Sequence, residues 1–168
     1  MSMAANKQDG IRAAVLDPRY KEVREFLVGK YVHAVCEWDL DGLKLDFIDR
    51  FKYNGIVEDV MDYSTVEDAT EQLLREITTA LRAVKNDILI EFRQPYMGPV
   101  ITTYGNMIRV WDCPLDPIVN RVGITDLRML TRNCAVHSDM IYWDNSDTAV
   151  SVATHLYSAL FGVPLPIC

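Results

Sequence analysis

The sequence predicts an α/β fold built on a parallel β-sheet, and three observations predict it. Segments of helical periodicity alternate with short apolar runs of strand length from about residue 17 onward, the order that builds parallel sheets. Within those runs the apolar residues fall on one face, as the two-residue period of a strand requires. Ionisable residues gather near the same end of each run, and in parallel α/β proteins the carboxyl ends of the strands form the rim that carries sites.

Residues 1–16 read as a leader with little structure of its own, and 17–168 as the folded part. Asp17-Pro18 is a helix start, an N-cap followed by proline at the first helical position. The helix then runs to about Trp38, with Val23, Phe26, Leu27, Tyr31, Ala34, Val35 and Trp38 as its apolar stripe. The first strand, Gly42 to Phe47, puts Leu43, Leu45 and Phe47 on one face and Lys44 and Asp46 on the other. A longer loop covers 48–63. Ser64-Thr65-Val66-Glu67 reads as a capping box opening a second helix, with Leu73, Leu74, Ile77, Leu81 and Val84 apolar. Ile88 to Phe92 is the second strand, ending in Arg93-Gln94-Pro95, and Met107 to Trp111 is the third, closed by Asp112-Cys113-Pro114. A helix over 115–131, bent near Gly123, leads to a strand at Ala135 to Met140. The last helix spans 147–161, and Val163 to Cys168 forms a short fifth strand.

Composition narrows the function. The 168 residues suit one domain, and 49% hydrophobic residues supply a core. A net charge of -7 with no basic cluster points away from nucleic acid. No stretch approaches a membrane span and the first fourteen residues lack a signal-peptide apolar run, so a cytoplasmic protein with no membrane partner is expected. Cys36, Cys113, Cys134 and Cys168 show no metal-binding spacing. No glycine-rich phosphate loop follows a strand. Neither a metal nor a cofactor is expected.

The strand ends carry the functional signal. Lys44 pairs with Asp46 on one face, Glu91 with Arg93, Arg109 with Trp111, and His137 with Asp139, while Asp112 lies just past its strand. One such pair is ordinarily a structural ion pair, but four sets at one rim converge on a cleft. Asp46 and Asp112, on different strand ends with cations nearby, suit glycoside hydrolysis, in which one carboxylate attacks the anomeric carbon and the other protonates the leaving oxygen. Lys44 would hold Asp46 ionised. Partial burial beside Trp111 and Cys113 would raise the Asp112 pKa towards that of a general acid. Cys113 reads as a packing residue, since no histidine partners it in the motif.

Three stretches carry a family resemblance. Asp41-Gly-Leu-Lys-Leu-Asp-Phe-Ile-Asp49, Arg109-Val-Trp-Asp-Cys-Pro-Leu-Asp116 and Ala135-Val-His-Ser-Asp-Met140 resemble the barrel of melibiase-type α-galactosidases, glycoside hydrolase family 36. The resemblance runs from about residue 17 to the end. It implies a partial (β/α)8 barrel, about strands four to eight with their helices. It also implies a retaining mechanism on terminal α-galactosides, with Asp46 as nucleophile and Asp112 as acid/base. Lys44 falls on the lysine that binds sugar hydroxyls and Arg93 near a substrate contact, where many members carry cysteine and a glycine-rich run. Arg109, Trp111, His137 and Asp139 complete the candidate binding set. Such an arc leaves open edges, so a second copy or a complementing barrel half is the expected partner. Two other readings stand beside this one: a non-catalytic remnant or assembly module, and a small doubly wound nucleotide-binding protein.

Overall fold

The computed structural model describes residues 3–8, 11–51, 57–93, 96–113, 115–131 and 133–167, with backbone alone for 3–14 and 165–167. The chain divides into two compact units, Met1–Leu43 with Phe47–Ile88, and Lys44–Asp46 with Leu89–Cys168.

The first unit opens on a hairpin where the sequence led us to expect an unstructured leader. Strands β1 (Met3–Gln8) and β2 (Ile11–Leu16) pair antiparallel, from Met3 opposite Leu16 to Gln8 opposite Ile11. Backbone bonds alone define this ladder, so the weakly apolar Ala4-Ala5-Asn6-Lys7 run gave little warning. The signal available was Asp9-Gly10 between the two runs, a dipeptide favoured in two-residue hairpins. Helix α1 (Lys21–Glu37) starts later than expected, because Asp17 does not cap it. The Asp17 carboxylate instead accepts from the Arg19 amide at 3.0 Å and from its guanidinium at 2.7 Å, a local alternative to helix capping. The predicted α1 stripe is also corrected. Val23 and Val35 are buried, but Phe26 is exposed and Trp38 is 70% exposed at the helix end. Helix α2 (Val66–Val84) buries Leu73, Leu74, Ile77 and Leu81 as its pattern predicts, but Val84 at its end is exposed. Its cap is Thr65, one residue beyond Ser64. The Thr65 hydroxyl accepts from the Asp68 amide at 3.1 Å and donates to the Asp68 carboxylate at 2.6 Å.

The second unit carries the α/β fold. Lys44, the last residue of strand β3 (Gly42–Lys44) and the one that falls in this unit, is followed in chain order across the sheet by strands β4 (Leu89–Arg93), β5 (Met107–Arg109), β6 (Ala135–Tyr142) and β7 (Val163–Ile167). The pairs from β4 to β7 are parallel. Helices α3 (Ile101–Tyr104), α4 (Pro117–Leu130) and α5 (Ala149–Ser158) connect them. A strictly sequential order is that of an arc of a (β/α) barrel, whereas a doubly wound sheet reverses its order at a switch point. The nucleotide-binding alternative loses its topological basis here.

Two features show how local sequence sets this unit. Asp116 caps α4 by accepting from the Ile118 and Val119 amides at 3.0 and 2.9 Å, with Pro117 at the first position. The helix is continuous through Gly123. Gly105 sits where a Cβ would lie 2.5 Å from the Phe92 ring and 2.8 Å from the Ile90 carbonyl. That close approach lets Asn106 Oδ1 accept from the Ile90 amide at 2.8 Å.

The predicted faces hold in the sheet. Ile90, Phe92, Ile108, Val110 and Val136 are fully buried on one side. Arg93, Arg109 and His137 stand in register on successive strands. The alternation is interrupted where the register of β6 shifts between His137 and Met140, and again after β3. Leu45 is buried and its amide donates to the Glu91 carbonyl at 2.9 Å, but Phe47 turns left-handed at φ 55° and is half exposed. Strand β3 already ends at Lys44, and the left-handed Phe47 keeps the chain from resuming a ladder.

Candidate functional site

The charged ends of β3 to β6 meet in one network within the second unit. Lys44 Nζ lies 3.1 Å from Asp46 Oδ2. Arg93, the last residue of β4, spans two carboxylates: Nε is 2.9 Å from Asp46 Oδ1, and Nη1 donates to Asp112 Oδ2 at 2.7 Å. The first of these is an ion-pair contact without linear hydrogen-bond geometry, and the second is a hydrogen bond. Arg109 Nη2 donates to Asp112 Oδ1 at 2.5 Å, and its Nη1 to Asp139. Asp139 also accepts from the Cys113 amide, and its own amide donates to Asn120 Oδ1 at 3.1 Å. Opposite charges therefore alternate from Lys44 to Asp139 across four strand ends. The register of Arg93 beside Arg109 is what allows Asp112 to sit between two guanidinium groups.

Burial grades along this network. Asp112 is 57% exposed and Asp46 24%, whereas Asp139 has no exposure at all. Asp139, expected among the substrate-binding residues, thus lies behind the site and holds Arg109 and the Cys113 turn. His137 pairs with Glu91 rather than with Asp139, Nδ1 to Oε2 at 2.6 Å, and is also mostly enclosed. Trp111 is half exposed beside Asp112. Gln94, Pro95 and Pro114, which belong to the predicted strand-end motifs, lie outside the described residues.

The electrostatics correct one expectation. Burial was to raise the Asp112 pKa, but the hydrogen bond from Arg109 holds this carboxyl below the usual range against a smaller effect of burial. Arg93 adds to the lowering by its hydrogen bond and charge. For Arg93, burial works to lower the pKa, and the bond and charge of Asp112 outweigh it, so the net direction is up. Burial and the neighbouring Asp139 charge push the Cys113 thiol up to about 11. It is protonated at neutral pH, as suits a packing residue.

Sequence reasoning missed Tyr96. Its hydroxyl stands 3.2 Å from Asp46 Oδ1 and 3.1 Å from the Leu45 carbonyl oxygen. Burial, then the Asp46 charge and hydrogen bond, raise its pKa strongly. Nothing in its loop, Gln94-Pro95-Tyr96-Met97, is periodic, so no pattern marked it. Among the described residues no group of His, Cys, Asp and Glu could hold a metal ion. No described helix is long and apolar enough to cross a membrane.

No family model matches the chain. No curated protein matches it. Among solved structures it is similar to a cycloisomaltooligosaccharide glucanotransferase of Paenibacillus sp., crystallised in complex with cycloisomaltoheptaose, at 14% identity and a TM-score of 0.49. The match covers 78% of this chain and 20% of that one, so this chain spans about a fifth of that protein's length.

Proposed function

We propose that the second unit carries a retaining glycosidase site for terminal α-galactosides, with Asp46 as nucleophile and Asp112 as acid/base. One observation supports it above all. Asp46 and Asp112, from separate strand ends, flank a single guanidinium, that of Arg93. Two carboxylates set apart by one planar group are arranged to take a sugar carbon between them once that group withdraws. The motif resemblance to glycoside hydrolase family 36 adds the sugar and the assignment of roles.

In this reading the sugar displaces Arg93 from between the carboxylates, and Lys44 and Arg93 turn to its hydroxyls. An Asp46 oxygen attacks the anomeric carbon as the glycosidic bond breaks, and the leaving oxygen takes a proton from Asp112. Water then attacks the same carbon and gives its proton to Asp112, and Asp46 leaves as carboxylate. Asp112 must hold a proton first, which both arginines oppose. The displacement of Arg93 removes one of the two, while Arg109 stays on Asp139. Trp111 offers a stacking face. The arc of strands supplies one wall of the pocket, and a second copy or complementing strands supply the other. Turnover by this chain alone is therefore expected to be low. A cytoplasmic location fits the same reading.

The depressed Asp112 pKa favours a second reading, a non-catalytic module in which the network only braces the strand ends. An activated fluorinated α-galactosyl fluoride separates the two by mass spectrometry of the digested chain. A glycosyl adduct on Asp46, absent from Asp46→Asn, is the expected result. No adduct, together with no turnover of a chromogenic α-galactoside, would leave the bracing module.

A further inference from the structure

We propose that Tyr96 is a positioning residue for Asp46, donating to Oδ1 so that Oδ2, the oxygen beside Lys44, is the one that attacks. The proposal rests on the reading of Asp46 as a nucleophile and names the attacking atom and its donor.

Geometry carries it. Oδ1 faces the Tyr96 hydroxyl at 3.2 Å and Arg93 Nε at 2.9 Å, whereas Oδ2 faces Lys44 Nζ at 3.1 Å. Lys44 is the most exposed of these three partners and turns, with Arg93, towards the sugar hydroxyls. Its departure takes one partner from Oδ2, while Tyr96 still holds Oδ1.

The phenol has one proton and two acceptors in reach, Asp46 Oδ1 and the Leu45 carbonyl at 3.1 Å. A carboxylate is the stronger acceptor, so the proton goes to Asp46 while that group is charged. Once Oδ2 is bonded to the anomeric carbon, Oδ1 becomes the carbonyl oxygen of a neutral ester. The Leu45 carbonyl then competes for the same proton. Tyr96 therefore follows the charge on Asp46. Burial and the Asp46 carboxylate keep the phenol protonated, so the donor is present at neutral pH. Among the described residues, charged groups around Asp46 include Lys44 and Arg93, with Asp112 and Arg109 beyond. These cations keep a substantial part of the carboxylate's stabilisation when Tyr96 is changed.

Such a bond favours the carboxylate over the ester, so it helps most when charge returns to Asp46 as the ester is hydrolysed. Tyr96→Phe removes the hydroxyl and keeps the ring. In the full chain labelled with carbon-13 at aspartate carboxyls, with Asp46→Asn to assign the signal, the Asp46 titration is expected at a pH about 1 higher in Tyr96→Phe. This measurement needs no turnover. 3-Fluorotyrosine at position 96, a stronger donor, should move it the opposite way and serves if Tyr96→Phe does not fold. An Asp46 titration unmoved by either change would overturn the proposal.

With a chromogenic α-galactoside, kcat should fall about tenfold and KM with it, leaving kcat/KM nearly constant. Equal losses in kcat and kcat/KM, or no change in either, would overturn the positioning role. If the titration moves and the unaltered chain turns over no glycoside, the Tyr96–Asp46 coupling stands and the glycosidase reading fails.

Discussion

The two ends of the charge network in the second unit are built from the same residue types and differ in what water can reach. At the inner end Arg109 and Asp139 are buried, and Asp139 is held further by the Cys113 amide. At the outer end Lys44, Asp46 and Asp112 all reach solvent, and Arg93 bridges the two carboxylates. A buried pair cannot exchange partners without leaving a charge in a medium that solvates it poorly. A solvated pair can, because water replaces each lost bond at little cost. The inner end is therefore a support and the outer end a place where a ligand can enter. The arginine cluster of the first unit is of the supporting kind. Arg24 is buried and donates to the Pro18 carbonyl at 2.9 Å and to Asp62 at 2.6 Å, with Glu76 at 3.4 Å.

The strongest test of this contrast removes the inner cation. Arg109→Met leaves Asp139 charged and buried, and should cost about 3–5 kcal/mol. Hydrogen exchange at the amides of β5 and β6 would read it, and a loss under about 1 kcal/mol would show that the inner end is no support. A smaller effect is expected one layer behind. Asn120 accepts from the Asp139 amide at 3.1 Å and donates to Ser158 Oγ at 3.2 Å, and it is buried. Asn120→Ala should cost about 1–3 kcal/mol by the same measurement, since it leaves buried groups unbonded.

The smallest effect belongs to Asp112 and depends on pH. Its folded pKa is depressed, so its stabilising contribution is complete above the unfolded value of about 3.9. That contribution disappears as pH falls through the folded value. The stability lead of the unaltered chain over Asp112→Asn should then be constant above about pH 5 and shrink below about pH 4. Because Asp112 is more than half exposed, the lead should stay below about 1 kcal/mol. Urea unfolding at a series of pH values would measure it, and a lead that grows on acidification would contradict the depressed pKa.

The sequence by itself determined the elements whose signals are local. Alternation along a strand needs only the next residue but one. Hence Ile90 with Phe92, Ile108 with Val110, and Val136 are buried on one face, while Arg93, Arg109 and His137 share the other. Helix α2 was legible from its apolar spacing and the threonine at its start. Local signals also misled where a nearer bond competed. Asp17 turned to Arg19 rather than to the helix, and the strand expected to run to Phe47 ended at Lys44.

What only the tertiary structure decided is which charges meet. Nothing in the sequence says that β4 lies beside β5 with Arg93 opposite Arg109, yet that register puts Asp112 between two guanidinium groups. The same packing took Asp139 out of reach of solvent, joined His137 to Glu91 and brought Tyr96 to Asp46. Glu91 and His137 are 46 residues apart, Asp46 and Tyr96 50, and Arg93 and Asp112 19, and only Arg109 with Asp112 among these bonds is local. The charge state of a carboxylate depends on cations within a few ångströms and on access to water. Both are properties of the folded neighbourhood, so a residue's identity and its place on a strand could name Asp112 but not its ionisation.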